Sequence, residues 1–294
     1  MISLKQLAVF ASIARHGGLG PAAEELFLSK GAVSQALAEL ERQLGSPLFD
    51  RVHPRLQLND QGRQLQPLAE ELLDRVQDIQ ALFQDDAAPQ GLLRLGASQT
   101  IGNYLLPALL AKMPAATAQV RITNTHNLCA MLAHFELDLA LVEGEVHHPA
   151  LLTKDWLEDE MLVLARPGHP LAGQSRLPLE ALAGQPWVLR EVQSGSREQF
   201  DRELAPRVAP AQVLELNTLE AVMGAVEQGL GLTLVSKLAA APRLQSGQLV
   251  QLGLAARFPR TLRLAWHRQK YHSTLLRRFV DFCLDQSPPA KAGQ

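Results

Sequence analysis

Three stretches of the chain place hydroxyl- and amide-bearing residues directly ahead of helical patterns that follow strand-like runs. Ser98 and Thr100 precede Ile101, Ser194 and Ser196 precede Arg197, and Asn217 and Thr218 precede Leu219. Ser196 with Gln199, and Asn217 with Glu220, have the spacing of a capping box. A helix N-terminus carries free backbone N–H groups and a partial positive charge, so turns of this kind can hold anions. Ligands of open α/β sheets also collect beyond the strand ends, where such turns lie. Plain capping, worth about 1 kcal/mol each, satisfies any one of these sites equally well. Arg197 adds charge if it turns inward and nothing if it faces solvent.

A second set of residues has the chemistry of base and phosphate contacts. On the helical run that follows Ser29, the face opposite Val33 and Leu37 carries Lys30, Gly31, Ser34, Gln35 and Ala38. Gln35 has the paired donor and acceptor that match adenine N6 and N7, and Lys30 suits guanine or phosphate. Gly31 and Ala38 are small enough for close approach. Ser34, Arg51, His53 and Arg55 suit phosphates, contacts that position without specifying sequence. Residues 1–58 hold six basic and five acidic side chains, so charge alone argues weakly for this role.

The elements that position these residues follow from periodicity. Leu4, Leu7, Ala8, Ala11 and Ala14 recur at helical spacing and stop at Gly17-Gly18. Pro21 suits the start of a second helix bearing Ala22, Ala23 and Leu26. Ser29 caps a third, with Val33, Leu37, Leu40 and Leu44 inward and Gly45 as its end. The short connection from Phe27 to Ser29 makes a helix-turn-helix. Residues 47–58 read as a wing. Asn59 caps a long helix to about Gln84, whose Leu65, Leu68, Leu72, Val76, Ile79 and Phe83 form a seam suited to pairing with a second copy. Pro67 predicts a kink or a late start there. After residue 90, strand-like and helical runs alternate to a final helix at Ser273–Leu284, the texture of an α/β domain.

The chain has 294 residues, enough for about two domains. Its net charge of −2 excludes a polycationic coat but not a local basic face. Two cysteines, Cys129 and Cys283, fit a reducing compartment rather than a disulfide framework. With no signal-peptide pattern and no apolar span, a soluble cytoplasmic protein is expected. His126-x-x-Cys129 and His147-His148 lack the ligand spacing of a zinc site. Ser196 has no nucleophile elbow, and Gly229-x-Gly231 is no phosphate loop. No metal, cofactor or catalytic group is expected, and Cys129 reads as a small core residue before a redox sensor.

Residues 1–62 closely resemble the N-terminal domain of LysR-type transcriptional regulators. The resemblance rests on Leu7-x-x-Phe10, Ala22-Ala23-x-x-Leu26, the run AVSQALAELERQLGSPLF at 32–49, Arg51, and Leu58-Asn59-Asp60-Gln61-Gly62. It implies a winged helix-turn-helix at 1–58 and a dimerising linker helix and hinge at 59–90. A two-lobed α/β effector domain like a type 2 periplasmic binding protein follows at 91–288, then a tail at 289–294. It further implies a DNA-binding homodimer, commonly assembled as a tetramer, with RNA polymerase as a further candidate partner. The resemblance implies Ser29, Lys30, Gly31, Ser34, Gln35, Arg51, His53 and Arg55 at DNA. It implies Ser98, Thr100, Asn127, Ser194, Ser196 and Thr218 around a small anionic effector. Two departures stand out: Gly20-Pro21 replaces a serine-containing cap, and Ala38 replaces a common basic residue, so fewer bases are read. The segments at 96–107, 142–151 and 189–198 look most like regulators of sulfur assimilation, sulfite response and carbon fixation, which suggests sulfite or a phosphorylated metabolite. The alternative reading is a small-molecule-binding protein whose N-terminal helices serve only assembly.

Overall fold

A computed structural model describes residues 1–52, 55–81, 92–113 and 117–286. Three helices, α1 (Leu4–His16), α2 (Leu19–Glu25) and α3 (Lys30–Leu44), precede a two-stranded wing of β1 (Phe49–Val52) and β2 (Arg55–Leu58). Ser3 and Gln6 form a reciprocal capping box on α1, and Gly17 and Gly45 close α1 and α3 in the left-handed conformation. Helix α2 starts at Leu19, ahead of Pro21. Val9, Phe10, Ile13, Val33, Leu37, Leu40 and Leu48 make one buried core, closed by Ala69 of the next helix.

That helix, α4 (Asp60–Ala81), runs without a break through Pro67. It begins where Asn59 Oδ1 accepts the Gly62 N–H at 2.9 Å. A Cβ on Gly62 would lie 2.2 Å from the Leu48 carbonyl oxygen, so only glycine permits the wing to close against the helix start. Pro67 removes one backbone bond, yet neighbouring Gln66 and Ala69 are buried against other elements. Packing on both sides of the proline offsets that loss. The end of the expected helix, 82–84, and the linker to residue 91 lie outside the described residues, as does the tail.

The remainder is a two-lobed α/β unit. Its elements are β3 (Leu92–Ala97), α5 (Gln99–Tyr104), α6 (Leu106–Lys112), β4 (Thr117–Ile122), α7 (Thr125–Ala133), β5 (Leu139–Glu143) and the long β6 (Leu151–Ala165). These are followed by β7 (Pro186–Leu189), α8 (Gly195–Glu203), α9 (Ala205–Val208), β8 (Gln212–Glu215), α10 (Leu219–Glu227) and β9 (Thr233–Ser236). The chain closes with α11 (Lys237–Gln245), β10 (Val250–Gln251), β11 (Phe258–His267) and α12 (Thr274–Asp285). The expected single helix at 101–112 is two helices that share Leu105 as a cap, with Pro107 in the first turn of the second, where its missing N–H is tolerated.

One mixed sheet runs β10-β6-β11-β5-β3-β4, with β9 also on β6, and β7 pairs β8 separately. Strand β3 lies parallel to both β4 and β5, and β11 lies antiparallel to β5 and β6. The first lobe buries Leu93, Leu95, Ile101, Leu139, Leu141, Leu264 and Phe279, and the second Leu162, Trp187, Phe200, Val222 and Leu232. Strands β6 and β11 contribute to both cores and join the lobes.

Candidate functional site

At the C-terminal ends of β3 and β5 the chain turns into the cleft between the lobes. Strand β5 ends at Glu143, whose side chain is buried. Its Oε1 accepts the Ser98 hydroxyl at 2.8 Å and the Thr100 backbone N–H at 3.2 Å. Its Oε2 accepts Arg260 Nη1 at 2.7 Å and, from the other lobe, the Ser196 hydroxyl at 3.5 Å. Arg260 Nε reaches Asp159 at 2.7 Å, and the Ser236 hydroxyl completes Asp159 at 2.9 Å. Arg260 Nη2 also lies 3.5 Å from the Thr100 hydroxyl. Burial works to raise the Glu143 carboxyl, but the Arg260 charge and the Thr100 and Ser98 hydrogen bonds hold it below the usual range. Burial likewise works against the Arg260 charge, and Glu143 and Asp159 outweigh it.

Four of the six expected cleft residues therefore sit together. Ser98, Thr100, Ser194 and Ser196 are all buried at the lobe interface. Ser194 is the N-cap of α8, accepting the Arg197 N–H, and Ser196 lies inside the first turn of the helix, so the expected capping box beginning at Ser196 does not form. Its Gln199 instead donates to the Pro259 carbonyl at 3.2 Å. Thr218, not Asn217, caps α10, and it is exposed. Asn127 is exposed on α7, and its amide donates to Thr123 at 3.3 Å. Asn124, the true cap of α7, is the one turned to the cleft, where it donates to Glu191 at 3.0 Å. Arg197, half-buried, pairs with Asp201 and Glu215 and donates to the Arg190 carbonyl at 3.2 Å, away from the Glu143 cluster.

The lobes are bridged beside this cluster. Gln99 Oε1 accepts the Leu219 N–H at 2.7 Å while its Nε2 donates to the Asn217 carbonyl at 3.0 Å. Tyr104 donates to Glu220 at 2.5 Å. A Cβ on Gly195 would lie 2.9 Å from the Glu143 carbonyl oxygen, so glycine lets α8 approach β5. Sequence reasoning missed Glu143, Arg260 and Asp159. Each sits within a strand with no cap or turn signature, and only the crossing of β5, β6 and β11 brings them together.

The other face lies on α3. Ser29 caps it, accepting the Ala32 N–H at 3.1 Å. Lys30, Gly31, Ser34, Gln35 and Ala38 are all exposed, opposite buried Val33, Leu37 and Leu40. Arg55 is exposed on the wing. His53 and the Arg51 side chain lie outside the described residues. Arg42 on the same helix is clamped by Glu39 at 2.8 and 2.6 Å, which neutralises it. Phe27, in the turn ahead of α3, is 96% exposed with φ at 53°, a conformation unfavourable for an aromatic residue. Nothing in the sequence reading singles it out.

Among the described residues no group of three or more His, Cys, Asp or Glu is placed to hold a metal ion, and no helix is long and apolar enough to cross a membrane. A cavity of about 600 Å³ is lined by His126, Cys129, His147 and His148. Burial pushes the Cys129 thiol up to about 11, which disfavours the thiolate near neutral pH.

Two family models match the chain: the bacterial regulatory helix-turn-helix protein of the lysR family over residues 4–63, and the LysR substrate binding domain over residues 86–288. The chain is 40% identical over 290 residues to the uncharacterized HTH-type transcriptional regulator YeiE of Escherichia coli K12, covering 96% of this chain and 97% of that one. It is 30% identical over 294 residues to the RuBisCO operon transcriptional regulator of Allochromatium vinosum, covering 97% of each. In fold it is similar to a full-length OxyR variant of Pseudomonas aeruginosa, with a TM-score of 0.76, 24% identity and coverage of 97% and 94%. It also matches the CcmR regulatory domain of Synechocystis PCC6803 in complex with 2-PG, with a TM-score of 0.61, 27% identity and coverage of 68% and 100%. These are DNA-binding regulators rather than enzymes, which sets aside the reading of the N-terminal helices as an assembly module alone. A capped helix-turn-helix, a wing and a two-lobed α/β domain with a polar cleft stand in family order along one chain, which belongs to the LysR family of transcriptional regulators.

Proposed function

We propose that the cleft of this regulator binds a small oxyanion that retains a proton, and that binding changes how paired DNA-binding domains grip a promoter. The observation that carries this reading is the placement of Glu143. Its carboxylate lies where the Ser98 hydroxyl, the Thr100 N–H and Arg260 converge, a donor set suited to an oxyanion. A fully ionised guest entering beside ionised Glu143 meets a like charge in a buried site, which is unfavourable. A guest with an acidic proton donates it to Glu143 and turns the repulsion into a hydrogen bond. Hydrogensulfite has such a proton, and a phosphate monoester, with a second pKa of about 6, keeps one for part of the time near neutrality. Sulfate has none. The 2-PG bound by the CcmR neighbour and the RuBisCO regulators among the relatives support a small metabolite in this domain.

Entry requires the Gln99, Tyr104–Glu220 and Asn124–Glu191 bridges to part, so the ligand and the lobe arrangement are linked. Ser98, Thr100, Ser194 and Ser196 face the effector, with Thr218 at the cleft rim. At DNA, Gln35 reads bases, with Lys30 beside it. Ser29, Gly31 and Ser34 approach the backbone, and Arg51, His53 and Arg55 hold phosphates from the wing. Two chains pair through α4, two such dimers bind one promoter in the cytoplasm, and RNA polymerase is their partner there.

Calorimetric titration of sulfite, sulfate, thiosulfate and sugar phosphates tests the effector reading. Sulfite or a phosphate monoester is expected to bind, more tightly as pH falls toward about 6, with sulfate excluded. Glu143→Gln is expected to remove that preference. Undiminished binding in both Ser98→Ala and Thr100→Ala takes the hydroxyls out of the site, and equal affinity for sulfate overturns the role of the proton.

A further inference from the structure

One face of α4 carries Gln66, Glu70, Asp74 and Asp78, each four residues from the last and so aligned along the helix. All four are engaged by the effector domain of the same chain. Gln66 Nε2 donates to the His134 carbonyl at 2.7 Å, and Asp74 takes Lys270 Nζ at 2.6 Å. Asp78 accepts the Tyr271 hydroxyl at 3.1 Å and the Thr274 N–H, in the first turn of α12, at 2.9 Å. Glu70 differs from the others because its two oxygens face two domains. Oε1 is 2.9 Å from Arg15 of α1, and Oε2 is 3.1 Å from Arg94 of β3.

Arg94 is also paired to Asp138 at 2.7 Å, and Asp138 to Lys270 at 3.0 Å. Arg15 continues to Glu25 of α2, at 3.1 Å. The chain Glu25, Arg15, Glu70, Arg94, Asp138, Lys270 and Asp74 thus joins the helix-turn-helix to the first lobe. Glu70 and Lys270 are almost fully buried, with side-chain exposures of 4% and 3%. Buried ion networks of this size are often replaceable by apolar packing without loss of stability, so stability alone does not account for this one.

The same two strands run from this network to the cleft. Arg94 is on β3, four residues before Ser98, and Asp138 directly precedes β5, which ends at Glu143. Parallel pairing holds Leu95 beside Leu139 and Ala97 beside Leu141. One end of the strand pair is tied by Arg94 and Asp138, the other by Ser98 and Glu143, about 13 Å away at 3.3 Å per residue. We propose that Glu70 is the junction through which the state of the cleft reaches the DNA-binding domain. Releasing Glu143 frees β5 to shift against β3, Asp138 and Arg94 move with their strands, and the grip of Arg94 on Glu70 loosens. Arg15, and with it α1 and the helix-turn-helix, then reseats on α4. Glu70 touches neither DNA nor effector, so its role is positioning.

The coupling rests on the cleft being the regulated site, but its test needs no ligand. In the full-length chain, Glu143→Gln and the milder Ser98→Ala perturb the cleft directly, and hydrogen exchange is followed over α1, residues 4–16. Both substitutions are expected to speed exchange in α1 severalfold. In a Glu70→Gln background, or with Arg94→Lys, whose single ammonium lacks the two-sided fork, the same cleft substitutions are expected to change it by less than twofold. Glu71→Gln, which removes a solvent-side carboxylate on the same helix, leaves the response whole. A purely structural Glu70 would raise exchange in every background and keep the cleft increment constant. That result overturns the proposal, as does an α1 indifferent to both cleft substitutions in the otherwise native chain. A cleft that binds no oxyanion would defeat the effector reading and leave this cycle unaffected.

Discussion

Arg260 is fastened between carboxylates from two different strands, with Nη1 2.7 Å from Glu143 of β5 and Nε 2.7 Å from Asp159 of β6. Ser98 and the Thr100 N–H add bonds to Glu143 and Ser236 adds one to Asp159, so the triad is enclosed where β5, β6 and β11 meet. Removing one member of such a set leaves uncompensated charge, whereas removing all of it does not. Arg260→Met is therefore expected to lose about 3–5 kcal/mol of unfolding free energy in urea titrations. Adding Glu143→Gln and Asp159→Asn to that variant should recover most of the loss. If recovery fails, packing of the guanidinium rather than its charge is what matters.

Acid should act on the same groups. Glu143 and Asp138 both titrate below their ordinary values of 4.5 and 3.8, because the charges of Arg260, Lys270 and Arg94 outweigh burial. A depressed carboxylate contributes stability that is complete above its unfolded value and is lost as pH falls through the folded one. The melting temperature is expected to be flat near neutrality and to drop steeply below about pH 4.5. In Glu143→Gln the drop should be shallower. An unchanged acid profile in that variant would mean that Glu143 is not ionised in the native state.

Much of this organisation is legible in the residues. Gly17, Ser29, Gly45 and Asn59 mark helix ends that the structure keeps, because caps act on local backbone groups. Of the cleft serines Ser194 is legible for the same reason, while Ser98 and Ser196 turn their hydroxyls to Glu143 instead of capping. Glu143, Arg260 and Asp159 are not, since a charged residue in a strand has no local signature and its partners lie far along the chain. The network on α4 is half visible. Its apolar seam declares itself by spacing, while Glu70, Asp74 and Asp78 have the look of a solvated face until Arg94, Asp138 and Lys270 arrive from other elements. Asn124 is not legible because α7 starts at Thr125, ahead of the apolar run from Leu128 that marks the helix in the sequence.

On α3, exposed Gln35 has the paired amide donor and acceptor that match adenine, which is the basis of its proposed role. Gln35→Ala is expected to reduce discrimination among operator variants by about 1–3 kcal/mol at one adenine position. Arg55→Ala should weaken binding to all duplexes alike and flatten the salt dependence. Competition binding against a library of single-base variants separates the two. Selectivity that survives Gln35→Ala would assign base reading to another residue.

Cysteine chemistry is expected to be silent. Burial pushes Cys129 up to about 11 and Cys283 up to about 12, so the nucleophilic thiolate is scarce at neutral pH. Alkylation by iodoacetamide should be slow at neutral pH in the folded chain and fast after denaturation. Cys129→Ser should leave DNA binding equally indifferent to peroxide. Rapid oxidation of the native protein at Cys129 would reverse this.

The opposite side of α4 is what remains uncovered. Leu68, Leu72 and Ile79 are 58%, 48% and 56% exposed, a run of apolar side chains at helical spacing, while Gln66, Glu70, Asp74 and Asp78 engage the effector domain of the same chain. If two copies pair through α4 as proposed, the helix holds its own domain by charge and its partner by knobs-into-holes packing of this stripe. A carboxylate placed on that stripe would be desolvated in the dimer and solvated in the monomer, so it acts on association and not on folding. Leu72→Asp is expected to shift the chain toward monomer in sedimentation velocity at low micromolar concentration, with its melting profile little changed at high dilution. Its affinity for a two-half-site duplex should fall steeply, since two tethered recognition helices gain from effective concentration what one cannot, while affinity for a single half-site stays the same. A Leu72→Asp protein that remains a dimer would place the self-association surface elsewhere on the chain.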